Sequence, residues 1–221
     1  MIVQLIIQFN IQSPKFKVST VQSSNLKVQS NPLTTPLPLG EGPGERLQGD
    51  RLSSMLSILS ILEDTTVDGP GFRTTVYCAG CPNACPGCHN PQTWDIHNGQ
   101  WMQVEDIMRV IEADPFANVT FSGGDPMFQA EGFAELAHAI KTRTNKNIWC
   151  YTGFTFEALI KNPQQRQLLE WIDVLVDGPF VEKLKDPDLL FRGSSNQRII
   201  NVPLSLQQGK VVLWEVTCDC P

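Results

Sequence analysis

No apolar run in the 221-residue chain approaches the roughly 18 to 20 residues that a membrane-spanning helix requires, so the chain is expected to be soluble. The apolar opening MIVQLIIQFNI is broken by Gln4, Gln8 and Asn10, has no basic start and leads to no small-residue cleavage site. That argues against a secretory signal, and a cytoplasmic location is the expectation. There is no internal repeat. There is also no basic surplus: 17 basic residues stand against 23 acidic ones, a net charge of −6. Removing the five basic and three acidic residues of positions 1–54 leaves 12 and 20, a net of about −8, which suits nucleic-acid phosphates poorly.

What the sequence does have is cysteine in one place. Four of its seven cysteines fall in CAGCPNACPGCHN, residues 78–90, a density that points to metal ligation rather than a disulfide framework in a reducing compartment. Residues 1–54 differ in kind from the rest. They are rich in Gln, Ser, Asn and Pro without a sustained period, so a disordered low-complexity extension is expected there, with Met55 as the natural start of a domain over 55–221.

From Arg73 onward the pattern alternates. RTTVYC (73–78), NVTFS (118–122), NIWCYT (147–152) and DVLVD (173–177) read as strands. VEDIMRVIEA (104–113) puts Val104, Ile107, Met108 and Ile111 on one helical face, and GFAELAHAIK (132–141) repeats that spacing with Phe133, Leu136, Ala137 and Ile140. FEALI and QRQLLEWI add helical stretches. Repeated strand–helix units predict an α/β fold with a parallel sheet whose chemistry lies at the carboxyl ends of the strands. About 167 residues are too few for a full eight-unit barrel, so a partial, open (β/α) barrel is expected.

The cysteine loop follows RTTVYC, where such a sheet places its chemistry. Cys81, Cys85 and Cys88 are spaced C-x3-C-x2-C, with Cys78 three positions upstream. The spacing does not choose the metal. Zinc on four thiolates, zinc on three with His89, a closed four-cysteine cluster and an open three-cysteine cluster all meet it. Beyond the loop stands Phe121-Ser122-Gly123-Gly124-Asp125-Pro126, two glycines that let backbone approach a ligand, then a carboxylate suited to an ammonium group. By itself this is most simply a strand-to-helix turn.

Taken together, C-x3-C-x2-C and the Gly-Gly-Asp-Pro strand end resemble the radical S-adenosylmethionine superfamily. Further motifs narrow the resemblance to activators of anaerobic ribonucleoside-triphosphate reductase: Asp68-Gly69-Pro70-Gly71-Phe72-Arg73, the run from Cys85 to Trp94, Tyr151-Thr152-Gly153-Phe154, Val176 to Phe180, and Phe191 to Arg198. The resemblance implies one [4Fe-4S] cluster on Cys81, Cys85 and Cys88 with a free fourth iron, and S-adenosylmethionine bound there. It implies that Gly123 and Gly124 admit the methionine moiety, Asp125 orders its ammonium, and Gly87, Cys88 and His89 pass the adenine. It implies reduced flavodoxin or a similar donor, and a glycine in the reductase's large subunit as the target of a 5′-deoxyadenosyl radical. Activators of pyruvate formate-lyase share the cysteine loop and form the alternative partner class; a non-enzymatic zinc or iron-sulfur module is the other.

Every remaining residue has a plainer reading. Cys78 is expected as a packed thiol, since a fourth ligand would block chelation of the substrate, and Cys150, in mid-strand, is expected in the core. Cys218 and Cys220 lie on a terminus where thiols are usually incidental. Thr152 and Asp177 end strands and are expected either to contact cofactor or a cation, or to cap the next turn. Trp94 and Trp149 are expected to pack around the pocket. His97 and His138 have no assigned partner, and Arg192 with Ser194-Ser195-Asn196-Gln197 is left between cofactor and partner protein.

Overall fold

The computed structural model describes residues 54–215. The expected extension over 1–54 lies outside them except for Ser54, and so do Cys218 and Cys220. The described chain runs β1 (Met55–Thr65), β2 (Arg73–Cys78), β3 (Gln100–Gln103), α1 (Val104–Ala113), β4 (Asn118–Gly123), α2 (Ala130–Arg143), β5 (Ile148–Tyr151), α3 (Phe156–Leu159), α4 (Pro163–Leu169), β6 (Val174–Asp177), β7 (Arg198–Asn201) and α5 (Val202–Gln208).

Seven strands form one sheet in the order β3-β1-β2-β4-β5-β6-β7. β2, β4, β5 and β6 are parallel, as the strand–helix alternation predicts. The sheet is mixed, however: β1 pairs antiparallel with both β2 and β3, and β7 pairs antiparallel with β6. RTTVYC is therefore the second strand. The sheet is open, with β3 and β7 at its two edges.

Strand alternation gives the sheet two different faces. Val76, Cys78, Val119, Phe121, Cys150 and Leu175 point into the main apolar core beneath the helices. There α1 buries Val104, Ile107, Met108 and Ile111, the four residues its periodicity selects, worth at most roughly 1.5 to 3 kcal/mol each. α2 buries Phe133, Leu136, Ala137 and Ile140, together with Ala130, Gly132 and Ala134.

The opposite face is polar at one end and aromatic at the other. The fully buried Arg73 donates to Thr120 Oγ1 (2.6 Å), the Asn147 side chain (2.8 Å) and the carbonyls of Val119 and Pro70. Its guanidinium lies 5.5 Å from the centre of the Trp149 ring, and burial lowers it to about 10, below its ordinary value. Trp149 in turn meets Phe191 and Trp214 edge-on.

The short helices start where the sequence supplies caps. Asn162 accepts from the amides of Gln164 and Gln165, with Pro163 in the first turn of α4. Asn201 accepts from Leu204 N to begin α5, and Gly209 ends it in the left-handed region at φ 66°. Because β2, β4, β5 and β6 run parallel, Cys78, Gly123, Tyr151 and Asp177 end their strands along one edge of the sheet.

Candidate metal centre

The cysteine loop leaves β2 at Cys78 and is closed at its base like a zipper. Gly80 N donates to Thr93 O (2.7 Å) and Cys81 N to Trp94 O (3.0 Å). Between those ties the chain turns through Ala84 at φ 40° and Gly87 at φ 73°, left-handed positions that a side chain resists at the first and that glycine accepts at the second. Cys88 N donates to Cys85 O (3.1 Å), tightening the final turn.

Cys81, Cys85 and Cys88 are free thiols, all half-buried on this one loop. N–H groups already point at two of the sulfurs: Asn90 N lies 3.4 Å from Cys88 Sγ and Asn83 Nδ2 3.9 Å from Cys81 Sγ. Donors of this kind favour thiolate, the ligating form. Burial raises the Cys81 thiol above its ordinary value, so a cation at the loop would have to draw the proton off. Cys78 and Cys150 are different. Both are fully buried in the apolar core, where desolvation pushes their thiols well above the ordinary value. Among the described residues no three Cys, His, Asp or Glu side chains surround a point as they would a single metal ion. A cubane asks for something else, sulfurs set around the corners of a cage, and three half-buried thiols on a loop with N–H donors suit that group.

The Gly-Gly-Asp turn stands directly behind the loop. A Cβ on Gly123, which sits at φ 99°, would come within 2.6 Å of Cys78 N and 2.7 Å of Cys78 O. One on Gly124 would lie 2.5 Å from Gly80 O and 3.1 Å from Thr93 O. The space left by the missing side chains is thus filled by the backbone at the root of the cysteine loop. Gly124 N donates to Cys78 O (2.8 Å) and Asp125 N to Gly80 O (2.9 Å), so strand end and loop are bonded at the point of contact.

Asp125 is fully buried, and its carboxylate is saturated from within. It accepts from Met127 N (3.0 Å), Asn83 Nδ2 (3.0 Å), Thr152 Oγ1 (2.9 Å) and Gly153 N (3.0 Å). Burial raises its carboxyl to about 6, and those same donors hold it from rising further. Thr152, itself buried, therefore spends its hydroxyl on Asp125 and on accepting from Phe154 N. Asp177 is committed in the same way. It caps α3 through Phe156 N (2.8 Å) and pairs with Arg198, which also binds Glu157.

A second loop, residues 178–197 between β6 and β7, leans on the first. The His89 and Phe180 rings stand 5.8 Å apart, and a Cβ on Gly87 would meet the Glu182 carboxyl carbon at 2.9 Å. The Arg-Gly-Ser-Ser-Asn-Gln run builds this loop. Gln197 Oε1 accepts from Gly193 N and Ser194 N, its Nε2 donates to Gly178 O, Arg192 donates to Gln197 O, and Asn196 Nδ2 reaches Pro179 O. Trp149 is sealed in the aromatic cluster and Trp94 is partly exposed beside the loop. His138 packs on Trp171 away from the cysteines. His97 takes part through its backbone N–H, which Asp95 caps.

The structure thus brings Cys81, Gly123, Gly124, Asp125 and Thr152 to one strand-end cluster, with Cys85 and Cys88 further along the same loop, where Gly87 and His89 meet Glu182 and Phe180; Asp177 stands at the end of β6, beyond β5 in the sheet order. Two residues escaped the sequence reading. Asn83 sits between two cysteines but is tied to a carboxylate 42 positions away, and Glu182 is one acid among several in a loop. No sequence signal separates either from its neighbours.

The model of the 4Fe-4S single cluster domain family matches residues 67–200. The anaerobic ribonucleoside-triphosphate reductase-activating protein of Escherichia coli strain K12 is 40% identical over 139 residues, 59% of this chain and 89% of that one. Its counterpart from Haemophilus influenzae is 33% identical over 154 residues (65% and 97%), and that from Enterobacteria phage T4 is 34% identical over 139 residues (60% and 86%). Among solved structures, QueE from Escherichia coli superposes with a TM-score of 0.40 at 17% identity, over 46% of this chain and 53% of that one. The relatives are matched over nearly their whole length by the segment that carries the three-thiol loop and the strand ends around it, and the chain belongs to the anaerobic ribonucleoside-triphosphate reductase-activating protein family.

Proposed function

We propose that the chain is a radical S-adenosylmethionine activase that reductively cleaves S-adenosylmethionine at a [4Fe-4S] cluster and installs the glycyl radical on the large subunit of anaerobic ribonucleoside-triphosphate reductase. One observation carries the reading: Cys81, Cys85 and Cys88 are free and half-buried on a single loop, while the neighbouring Cys78 is sealed in the core. Among the described residues three of the loop's cysteines are thereby available as ligands and the fourth, Cys78, is not. Cys81, Cys85 and Cys88 would hold the cluster, which when bound would supply an open iron for S-adenosylmethionine and pass on an electron from an external donor to break its carbon–sulfur bond, giving a 5′-deoxyadenosyl radical able to take hydrogen from a glycine Cα.

The chain's own residues orient and shield. Asn90 N–H points at the Cys88 sulfur, and the Gly123–Gly124 turn lets the cysteine loop lie against the end of β4. In this reading Gly87 and His89 border the S-adenosylmethionine site, and Asp125, Thr152 and Asp177 act on it through the walls their hydrogen bonds hold. In this reading the functional unit is residues 55–221, its parallel strands β2, β4, β5 and β6 form part of a (β/α) barrel, and a reduced flavodoxin or similar carrier delivers the electron.

Anaerobic reconstitution tests the proposal. Four irons per chain are expected, with a spectrum that changes on adding S-adenosylmethionine, dithionite-dependent release of 5′-deoxyadenosine, and a glycyl signal by electron paramagnetic resonance on the reductase. Cys81→Ala, Cys85→Ala and Cys88→Ala each abolish cleavage, whereas Cys78→Ala retains most of it. Stoichiometric zinc in protein isolated without oxygen, or equal loss in all four variants, would overturn the reading. A glycyl signal on a pyruvate formate-lyase-type enzyme but not on the reductase would overturn its choice of partner.

A further inference from the structure

Asn83 occupies an unusual position for a loop residue. It lies between the first two cysteines, yet its side chain turns inward, half-buried, and Nδ2 faces two acceptors at once: Asp125 Oδ2 at 3.0 Å and Cys81 Sγ at 3.9 Å. A primary amide has two N–H bonds, so both acceptors can be served together. Asp125 cannot drift, because Met127, Thr152 and Gly153 hold it from three other directions. Room for the amide comes from Gly153, where a Cβ would fall 2.2 Å from Asn83 Nδ2 and 2.8 Å from its amide carbon. One residue from β4's end and one from β5's end therefore converge on a single loop amide, and that amide faces the sulfur.

We infer that Asn83 is a positioning residue that directs an N–H at the Cys81 sulfur, aimed by Asp125 and accommodated by Gly153, and so sets the reduction potential of the cluster that this sulfur ligates. The inference rests on the reading of Cys81 as a cluster ligand. Hydrogen bonds to ligand sulfurs drain electron density and make a cluster easier to reduce. The amide also stands between the sulfur and the buried Asp125 carboxylate, whose charge acts in the opposite sense. Removing the amide therefore shifts the potential negative on both counts. A hydrogen bond worth roughly 0.5 to 1.5 kcal/mol corresponds to a reduced fraction about twofold to tenfold lower at a fixed ambient potential.

Two variants test this by different routes. Asn83→Leu keeps the approximate volume and removes the donor. Gly153→Ala keeps Asn83 and its own backbone N–H while displacing the amide. Redox titration of reconstituted protein, followed by electron paramagnetic resonance, is expected to show a negative shift in both. A third measurement uses the unaltered protein: asparagine labelled with 15N at the side-chain amide alone should give a nitrogen coupling in the pulsed spectrum of the reduced cluster. Asn90 contributes only a backbone nitrogen to Cys88 and stays silent under this label. Unchanged potentials in both variants, or no 15N coupling in the wild type, would overturn the inference. If wild-type protein takes up no four-iron cluster at all, the ligand reading fails instead, and iron analysis distinguishes the two outcomes.

Discussion

Gly124→Ala separates two explanations of why the strand end after β4 carries paired glycines. If the missing side chain makes room for a bound methionine group, alanine leaves the empty protein unharmed and raises KM for S-adenosylmethionine. The structure supports a different cause. The added Cβ would sit 2.5 Å from Gly80 O, 2.9 Å from Gly80 C and 3.1 Å from Thr93 O, and every one of those atoms is backbone. Neither partner yields easily, because Gly80 is bonded on one side to Thr93 O and on the other to Asp125 N. Relief requires the loop root to move outward, which stretches the 2.9 Å Asp125 N to Gly80 O bond. Overpacking of this kind costs about 1 to 3 kcal/mol and the weakened hydrogen bond about 1 more. Alanine recovers about 0.4 to 1 kcal/mol by narrowing the unfolded ensemble. A net loss of about 1 to 3.5 kcal/mol is expected in the cluster-free protein, measured by urea denaturation as a lower midpoint at constant slope. An apo variant as stable as wild type, or more so, would refute the packing argument and return the glycine to the cofactor.

Two further outcomes follow from contacts away from the cysteines. Gln197→Ala removes the acceptor shared by Gly193 N and Ser194 N at 2.9 and 3.1 Å, so those two amides should exchange with solvent at least tenfold faster, read residue by residue by NMR; unchanged protection would show that the loop does not depend on Gln197. The Arg198 guanidinium holds the Glu157 carboxyl down at about 2, so this pair stabilises the fold above the ordinary Glu value and the contribution fades as pH falls through about 2. Solvent screening at this largely exposed site limits it to under about 1 kcal/mol. Glu157→Gln should accordingly lower the urea midpoint slightly at pH 6 and much less near pH 2, and an equal effect at both values would contradict the assignment.

Periodicity located most of the fold and failed where burial was incomplete. α1 was legible to the residue because its four core positions repeat at helical spacing over Val104–Ala113. β4, β5 and β6 were legible as short apolar runs because both faces of central strands are covered. β3 and β7 were not. The first exposes most of its four residues, the second is only half-buried, and neither alternates strongly enough to be seen. β1 buries its start and exposes its end, which blurs the period-two signal. The cysteine loop announced itself because ligand chemistry needs particular residue types at close spacing. The glycines announced that something approaches closely, but a missing Cβ does not say what, and here it is the protein's own backbone. Likewise both Asp177 and Arg198 stand in motifs that drew attention, while their pairing belongs to the antiparallel register of β6 and β7, which only the folded sheet supplies.

The two buried carboxylates show how such a site can be rigid without a large core of its own. Burying an ionised carboxylate is costly, and burial alone would drive Asp125 towards its neutral form. Yet a carboxylate offers about four acceptor positions in a small volume, and no apolar residue of that size can tie separate segments together. Asp125 uses them on Asn83 in the cysteine loop, Met127 in the following turn, and Thr152 and Gly153 at the end of β5. Asp177 does the same between α3 and β7. Asp125 thus joins segments that the sheet's own hydrogen bonds do not reach, because they lie beyond the last ladder pair, while Asp177 ties α3 to the end of the β6–β7 ladder. Desolvation sets the cost, and the fixed placement of the cysteine loop against the strand ends is what the cost maintains.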